Sequence, residues 1–346
     1  MTTFADKIIR WQKRDGRHDL PWQNTRDAYR IWVSEIMLQQ TQVSAVIDYY
    51  ARFMTRFPTL QSLAATDIDD VMPYWAGLGY YARVRNLHKA AVLVQTEFDG
   101  VFPTDVDTIW SLPGIGRSTA AAICAFAYGQ SRPILDGNVK RVFARYFGIA
   151  GDVRTKAIED EMWLIAEREI PRKNIEAYIQ GQMDLGATLC ARGAPKCLLC
   201  PLQDSCVAHL EGRTNELPMR AIKKTIPHRT TKMLVILNAN AVYIERRPPT
   251  GIWGGLYSLP EIAVDDDVAD FVSAKFSNDI KLTQLTQPLP TLEHGFTHYT
   301  LTIQPIKVAI TKQTLQVSEP GSMWLNLDDI ESAALPAPVK KILLAL

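Results

Sequence analysis

The chain has 346 residues, 47% hydrophobic and 22% charged, a balance that excludes global disorder and a length that favours two domains over one core. Thirty-eight Lys and Arg against 37 Asp and Glu leave a formal charge of +1, so the total gives no hint of a polyanionic partner. No run of about 18 apolar residues occurs to span a membrane, and the polar segment Met1 to Arg14 lacks the apolar run of a secretion signal, so a cytoplasmic location is expected.

From Phe4 to about His209, apolar residues recur every three or four positions between Gly and Pro breaks, the pattern of helices. The spacing predicts one long helix over Ala28 to Tyr50, a second over Ala120 to Tyr128 and a third over Val139 to Phe147. In the first, Ile31, Trp32, Val33, Ile36, Met37 and Leu38 surround Glu35. Poor solvation would hold that carboxyl protonated, as a general acid requires; on the alternative reading it marks the polar face of an amphipathic helix. Before the second helix, Leu112-Pro113-Gly114-Ile115-Gly116 allows a tight turn that aims a helix N-terminus at an anion, or an ordinary helix–turn–helix corner. Asp136, just ahead of the third helix, suits an N-cap. An ionised Asp136 beside a protonated Glu35 would form the carboxylate pair that breaks glycosidic bonds.

Cys190, Cys197, Cys200 and Cys206 follow the spacing C-x6-C-x2-C-x5-C, while Cys124 stands alone in an apolar run and reads as a small buried hydrophobe. Four clustered cysteines in a reducing compartment point to metal rather than disulfides, and four thiolates suit either an iron–sulfur cluster or zinc. Residues 211–230 carry Gly212, Pro218, Lys223, Lys224 and Pro227 without periodicity, which places a linker between domains at 1–210 and 231–346. Beyond it the pattern turns to strands. Met233 to Leu237 and Ala241 to Glu245 flank Asn238-Ala239-Asn240 as a hairpin, and Tyr299 to Ile303 with Ile306 to Ile310 form a second pair, so this half is α+β. Lys and Arg outnumber Asp and Glu by 29 to 25 up to residue 230, whereas beyond it the acids lead by 12 to 9.

Taken together, Glu35-Ile36-Met37-Leu38-Gln39-Gln40-Thr41, Gly77-Leu78-Gly79-Tyr80-Tyr81-Ala82-Arg83, the Leu112 to Gly116 turn, Asp136-Gly137-Asn138-Val139-Lys140-Arg141 and the four cysteines resemble the adenine DNA glycosylases of the MutY type. These lie within the helix–hairpin–helix base-excision superfamily. The resemblance implies a mainly α N-terminal region of two helical lobes flanking a DNA cleft, with one [4Fe-4S] cluster held by Cys190, Cys197, Cys200 and Cys206. It implies that Glu35 protonates adenine at N7 and that Asp136 stabilises the sugar cation, with Asn138 and Ser118 in support. Gln39, Gln40, Thr41, Leu78, Tyr80, Gly114, Gly116, Lys140 and Gln180 fall at DNA- or base-contacting positions. Related bifunctional enzymes carry a lysine nucleophile at the position of Ser118, and a serine cannot form an imine. A monofunctional glycosylase that leaves an abasic site is therefore expected.

Gly251-Ile252-Trp253-Gly254-Gly255-Leu256 resembles the start of a Nudix-like domain, yet the acidic helix motif that holds magnesium in active Nudix hydrolases is missing. The family reads 8-oxoguanine through a loop that here corresponds to His294-Gly295-Phe296-Thr297-His298, with Phe296, Thr297 and His298 as contacts and threonine where serine is commoner. The expected partner is double-stranded DNA with 8-oxoG:A or G:A mispairs, met by a monomer that is nucleoid-associated in a bacterium. Arg83, Arg85, Lys89, Arg117, Lys140, Arg141, Arg192 and Lys196 stand beside the motifs and predict a locally basic groove. Two rivals are an endonuclease III-like glycosylase acting on oxidised pyrimidines and a non-catalytic DNA-binding protein.

Overall fold

The structure, a computed structural model, describes residues 3–219, 226–276, 281–282, 286–296, 298–311 and 321–346. The chain divides into two compact units, Met1–Thr66 with Arg85–Lys223, and Asp67–Val84 with Lys224–Leu346.

The helices up to residue 210 are α1 (Phe4–Asp15), α2 (Ala28–Leu38), α3 (Val43–Arg56), α4 (Leu60–Ala64), α5 (Ile68–Val71), α6 (Ala82–Glu97), α7 (Val106–Ser111), α8 (Arg117–Tyr128), α9 (Gly137–Tyr146), α10 (Lys156–Glu169), α11 (Ile175–Thr188) and α12 (Val207–Leu210). Of these, α5 and the start of α6 belong to the second unit. Thr3 and Asp6 open α1 with a reciprocal capping box, each side chain accepting the other's backbone N–H at 3.1 and 3.2 Å. Phe4, Ile8 and Trp11 then share one buried face, set by their three- and four-residue spacing. That face packs on α11, and the core gathers Phe4, Ile8, Val139, Phe143, Tyr178 and Leu185 from α1, α9 and α11. Each such side chain contributes about 1.5–3 kcal/mol by leaving water.

The single helix predicted over Ala28 to Tyr50 is divided. α2 ends at Leu38, the Gln39 N–H turns back to the Ile36 carbonyl at 3.4 Å, Gln40 takes a left-handed φ of 58°, and α3 starts at Val43. The break makes Gln39-Gln40-Thr41 a turn just past the end of the helix that carries Glu35.

The fold class needs a further correction at Cys190 to Cys206. Among the described residues, no group of three or more His, Cys, Asp or Glu side chains is arranged to hold a metal ion, so neither the [4Fe-4S] cluster nor an iron–sulfur loop stands. The segment folds instead into two 3-10 turns, Cys197–Leu199 and Gln203–Ser205, tied to α9 by protein hydrogen bonds. Arg145 Nη1 donates to Cys190 Sγ at 3.3 Å and to the Ala191 carbonyl at 2.8 Å, and the Cys206 thiol donates to the Arg145 carbonyl at 3.4 Å. Burial raises the Cys197 and Cys206 thiols and pushes Cys200 up to about 12.

In the second unit, β1 (His228–Asn238) and β2 (Ala241–Arg246) form the predicted antiparallel hairpin, with Ala239 left-handed at its tip and Asn238 opposite Ala241. The sheet continues with β3 (Tyr257–Ser258), β4 (Glu261–Ile262), β5 (Lys281–Leu282), β6 (Gln287–Pro288), β7 (Leu292–Gly295), β8 (Thr300–Thr311) and β9 (Ser322–Asn326). β1 and β8 run parallel from His228 opposite Thr300 to Leu237 opposite Ala309, while β7 pairs with β8 antiparallel. The hairpin expected at Tyr299 to Ile310 is therefore one strand. Pro305 lies within β8 opposite Met233, lacking a donor but still accepting the Leu289 N–H at 2.9 Å. Helix α13 (Val268–Phe276) lays Val272 and Phe276 on Leu234, Tyr243, Val308 and Ile310, and α14 (Ala337–Leu343) follows near the C-terminus. Among the described residues, no helix is long and apolar enough to cross a membrane.

Candidate active site

Asp27 caps α2 by accepting the Tyr29 N–H at 2.9 Å, and Ile31, Trp32, Val33, Ile36 and Met37 anchor the helix in the interior. This fixes Glu35 on the wall of a cavity of about 400 Å³, whose lining also includes Trp22, Ser34, Phe126 and Gln180. Burial, and then the charge of Asp136, push the Glu35 carboxyl up to about 8. Glu35 is half-buried rather than exposed on a polar helical face.

Asp136 is the N-cap of α9. Its Oδ1 accepts the Asn138 and Val139 N–H groups at 3.1 and 2.8 Å, and Oδ2 accepts from Asn138 Nδ2 at 3.3 Å. Burial raises its pKa, while those donors and Arg141 lower it. Arg141 holds the arrangement from behind. It donates to Asn138 Oδ1 at 2.8 Å and to the carbonyls of Gly137, Cys190 and Gly186 at 3.2, 2.7 and 2.5 Å. Ser118 Oγ accepts the Leu135 N–H at 2.9 Å, which ties the first turn of α8 to the residue before Asp136.

The turn between α7 and α8 depends on Gly114. Its φ is +80°, and a Cβ there would stand 2.7 Å from Asn86 Cβ. Gly116 precedes α8 with no capping side chain and with open space where a Cβ would sit. Gln39 Nε2 reaches Thr119 Oγ1 on α8 at 3.4 Å, and Thr41 Oγ1 donates to the Gln39 carbonyl at the same distance. Leu78 and Tyr80 lie in the second unit; Leu78 is buried, and Tyr80 is 46% exposed at a φ of 47°.

The predicted basic groove is largely spent on internal partners. Lys140 pairs with Glu159 at 2.8 Å, Arg117 pairs with Glu167 at 2.6 Å while lying over Trp163, Arg141 is buried, and the buried Arg83 donates to the carbonyls of Leu78 and Gly79. Sequence reasoning also missed a residue. Asp184 is wholly buried and accepts the Arg17 backbone N–H at 2.9 Å, Arg17 Nε at 2.7 Å and Gln180 Nε2 at 2.8 Å. Arg17 and Gln180 both line the cavity. The four-residue spacing of Gln180 and Asp184 on one helical face was the available signal.

In the second unit, Phe296 follows β7, and its N–H closes a tight loop onto the Tyr299 carbonyl at 2.8 Å; His298 is exposed, and Thr297 lies outside the described residues. Asp266 and Asp267 cap local backbone, accepting from Ala263 and from Ala269 and Asp270.

Half-buried Glu35 and Asp136 and the glycine turn stand on a helical scaffold, and the family model described as HhH-GPD superfamily base excision DNA repair protein matches residues 33–168, which gives the class. A NUDIX domain model matches residues 232–345. An adenine DNA glycosylase of Buchnera aphidicola from Acyrthosiphon pisum is 37% identical over 98% of this chain and 96% of its own length, and the human adenine DNA glycosylase is 30% identical over 99% and 73%. The chain belongs to the adenine DNA glycosylase family and is a base-excision repair enzyme that hydrolyses N-glycosyl bonds. Among solved structures, a thermostable thymine-DNA glycosylase superposes with a TM-score of 0.55 at 29% identity, covering 60% of this chain and 95% of that one. An endonuclease III–DNA complex shares the fold, with a TM-score of 0.51 at 22% identity over 60% and 94%.

Proposed function

We propose that the chain, as a monomer on double-stranded DNA, excises adenine mispaired with 8-oxoguanine or guanine and leaves an abasic site. The observation that carries the chemistry is Glu35, protonated at neutral pH on the wall of a base-sized cavity with the charge of Asp136 close enough to raise it. The target nucleotide leaves the stack and enters that cavity. Glu35 gives its proton to adenine N7, the C1′–N9 electron pair departs with the base, and Asp136 stabilises the positive sugar. Water then adds to C1′ and returns a proton to Glu35. Asn138 holds Asp136 in place, and Gln180 presents an amide to the flipped base.

Gly114 and Gly116 admit a phosphate to the start of α8. Gln39, Gln40 and Thr41 contact DNA from the first unit, Leu78 and Tyr80 contact it from the second, and the loop carrying Phe296 and His298 reads 8-oxoguanine. With Ser118 engaged by Leu135, no amine stands at the position from which a lyase nucleophile would attack. The test is single-turnover excision on a panel of mispaired and oxidised-pyrimidine duplexes, with and without alkaline work-up. Adenine release with strand scission only after alkali is expected; pyrimidine release, or a borohydride-trapped adduct forming as fast as turnover, would overturn the assignment.

A further inference from the structure

The glycine–tryptophan segment opening the Nudix-like domain has no part in the chemistry above, and its geometry is unusual. Trp253 is 8% exposed and sits at a left-handed φ of 53°, a conformation that costs a bulky residue about 1–2 kcal/mol. The chain enforces it by doubling back. The Gly255 N–H bonds the Pro248 carbonyl at 3.1 Å and the Leu256 N–H bonds the Trp253 carbonyl at 3.0 Å, while a Cβ on Gly254 would stand 2.7 Å from the Pro249 carbonyl oxygen. The indole so placed meets one ring near the end of β7 and one just beyond it. Its centroid lies 5.6 Å from His294 and 5.3 Å from Phe296, and those two rings meet edge to face at 4.6 Å. On the indole, the Arg247 guanidinium lies 5.4 Å from the centroid, fixed by its Nε bond to the Ile252 carbonyl at 3.0 Å and its ion pair with Glu261.

We infer that Trp253, braced by Arg247, is a positioning residue that holds the Phe296 ring and its loop in register for the opposing base, so that a Nudix-like motif serves lesion discrimination instead of hydrolysis. This rests on the reading that residues 294–298 recognise 8-oxoguanine. The other rings that Phe296 meets, His294 at 4.6 Å, Tyr299 at 4.8 Å and His298 at 6.3 Å, are its own neighbours in sequence, whereas Trp253 comes from a distant segment. A lesion-reading ring that must stay partly accessible cannot be fixed by burial, and an aromatic platform fixes it by shape.

The experiment is single-turnover excision by the full chain on 8-oxoG:A and G:A duplexes, comparing wild type with W253L, W253F and H298A. W253L is expected to lower the preference for 8-oxoG:A about tenfold, through the half-saturating enzyme concentration and not the limiting rate, because two ring contacts are lost. W253F keeps one aromatic face and recovers most of the preference. A W253L enzyme with wild-type preference, beside an H298A enzyme that has lost it, overturns the inference and leaves the reading of the loop intact. If H298A also keeps the preference, the loop reading itself fails and the inference falls with it. Should W253L not fold, R247M decides between the outcomes: a reduced preference supports the brace, and an unchanged one overturns it.

Discussion

Replacing Glu35 by Gln should inactivate the enzyme and stabilise it at the same time. The carboxyl has an ordinary value of 4.5 and is pushed up to about 8 in the fold. Between those values the folded chain keeps a proton that the unfolded chain has shed, so stability falls as pH climbs through that window. Gln carries no such penalty. The variant should exceed wild type by about 1 kcal/mol at pH 5, about 3 kcal/mol at pH 7 and about 4 kcal/mol at pH 8, because each pH step across that window costs the wild type about 1.4 kcal/mol. Gln has no proton to give, so single-turnover release of adenine should fall about 10²–10⁴-fold. On the alkaline side the wild-type rate should drop about tenfold per pH step above about pH 8. Urea unfolding of both proteins at pH 5, 7 and 8, with excision rates at the same pH values, measures all of this. A stability difference independent of pH, or a variant that still releases adenine at wild-type rate, would refute the argument that burial makes Glu35 the acid.

Asp184→Asn should cost about 3 kcal/mol in urea unfolding, since it removes the charge from a wholly buried partner of Arg17, and it should weaken substrate binding by loosening Arg17 and Gln180; a cost under about 1 kcal/mol would contradict that geometry. Gly114→Ala should lose about 1–2 kcal/mol, because φ is +80° and Asn86 blocks the Cβ, with weaker DNA binding in a gel-shift titration. With Arg83, Arg117, Lys140 and Arg141 held by internal partners, the predicted groove neutralises fewer phosphates than its sequence suggests. The slope of log affinity against log salt should then be about −4 or shallower, and a slope beyond about −6 would mean that other cations form the contact.

Local chemistry was readable where a residue type has one backbone use. Asn238-Ala239-Asn240 announced its hairpin, Gly114 its turn, and Asp136 its cap. The break after Leu38 was not readable, because Gln39-Gln40-Thr41 carries no Gly or Pro and the apolar spacing runs straight through it. Nor was the continuity of β8, which the sequence pattern reads as two strands and which carries Pro305 within it. Charge was the least legible. Sequence places Lys140 and Arg141 beside Asp136, but Glu159 and the carbonyls of Cys190 and Gly186, which claim them, come from distant segments. The four cysteines carry the same lesson: spacing along the chain brought them into one loop, and Arg145 and burial, neither visible in the spacing, made it a hydrogen-bonded one.

Asp136 is observed as a cap, and that role is compatible with the catalytic one proposed for it. Burial acts on both carboxylates, but only Asp136 faces backbone donors, because it alone stands at a helix N-terminus, while Glu35 sits well inside α2 where the N–H groups are already bonded along the helix. The cap's donors work on Asp136 against a burial that still raises it overall, and its negative charge is the second cause of the raised value at Glu35. The proposed roles require a shared proton to stay on Glu35 and the ion on Asp136, where a sugar cation would be stabilised. Removing the cap's donors would erode that division before it removed any carboxylate, which is why Asn138 and the Arg141 that holds it belong to the site as much as the acids do.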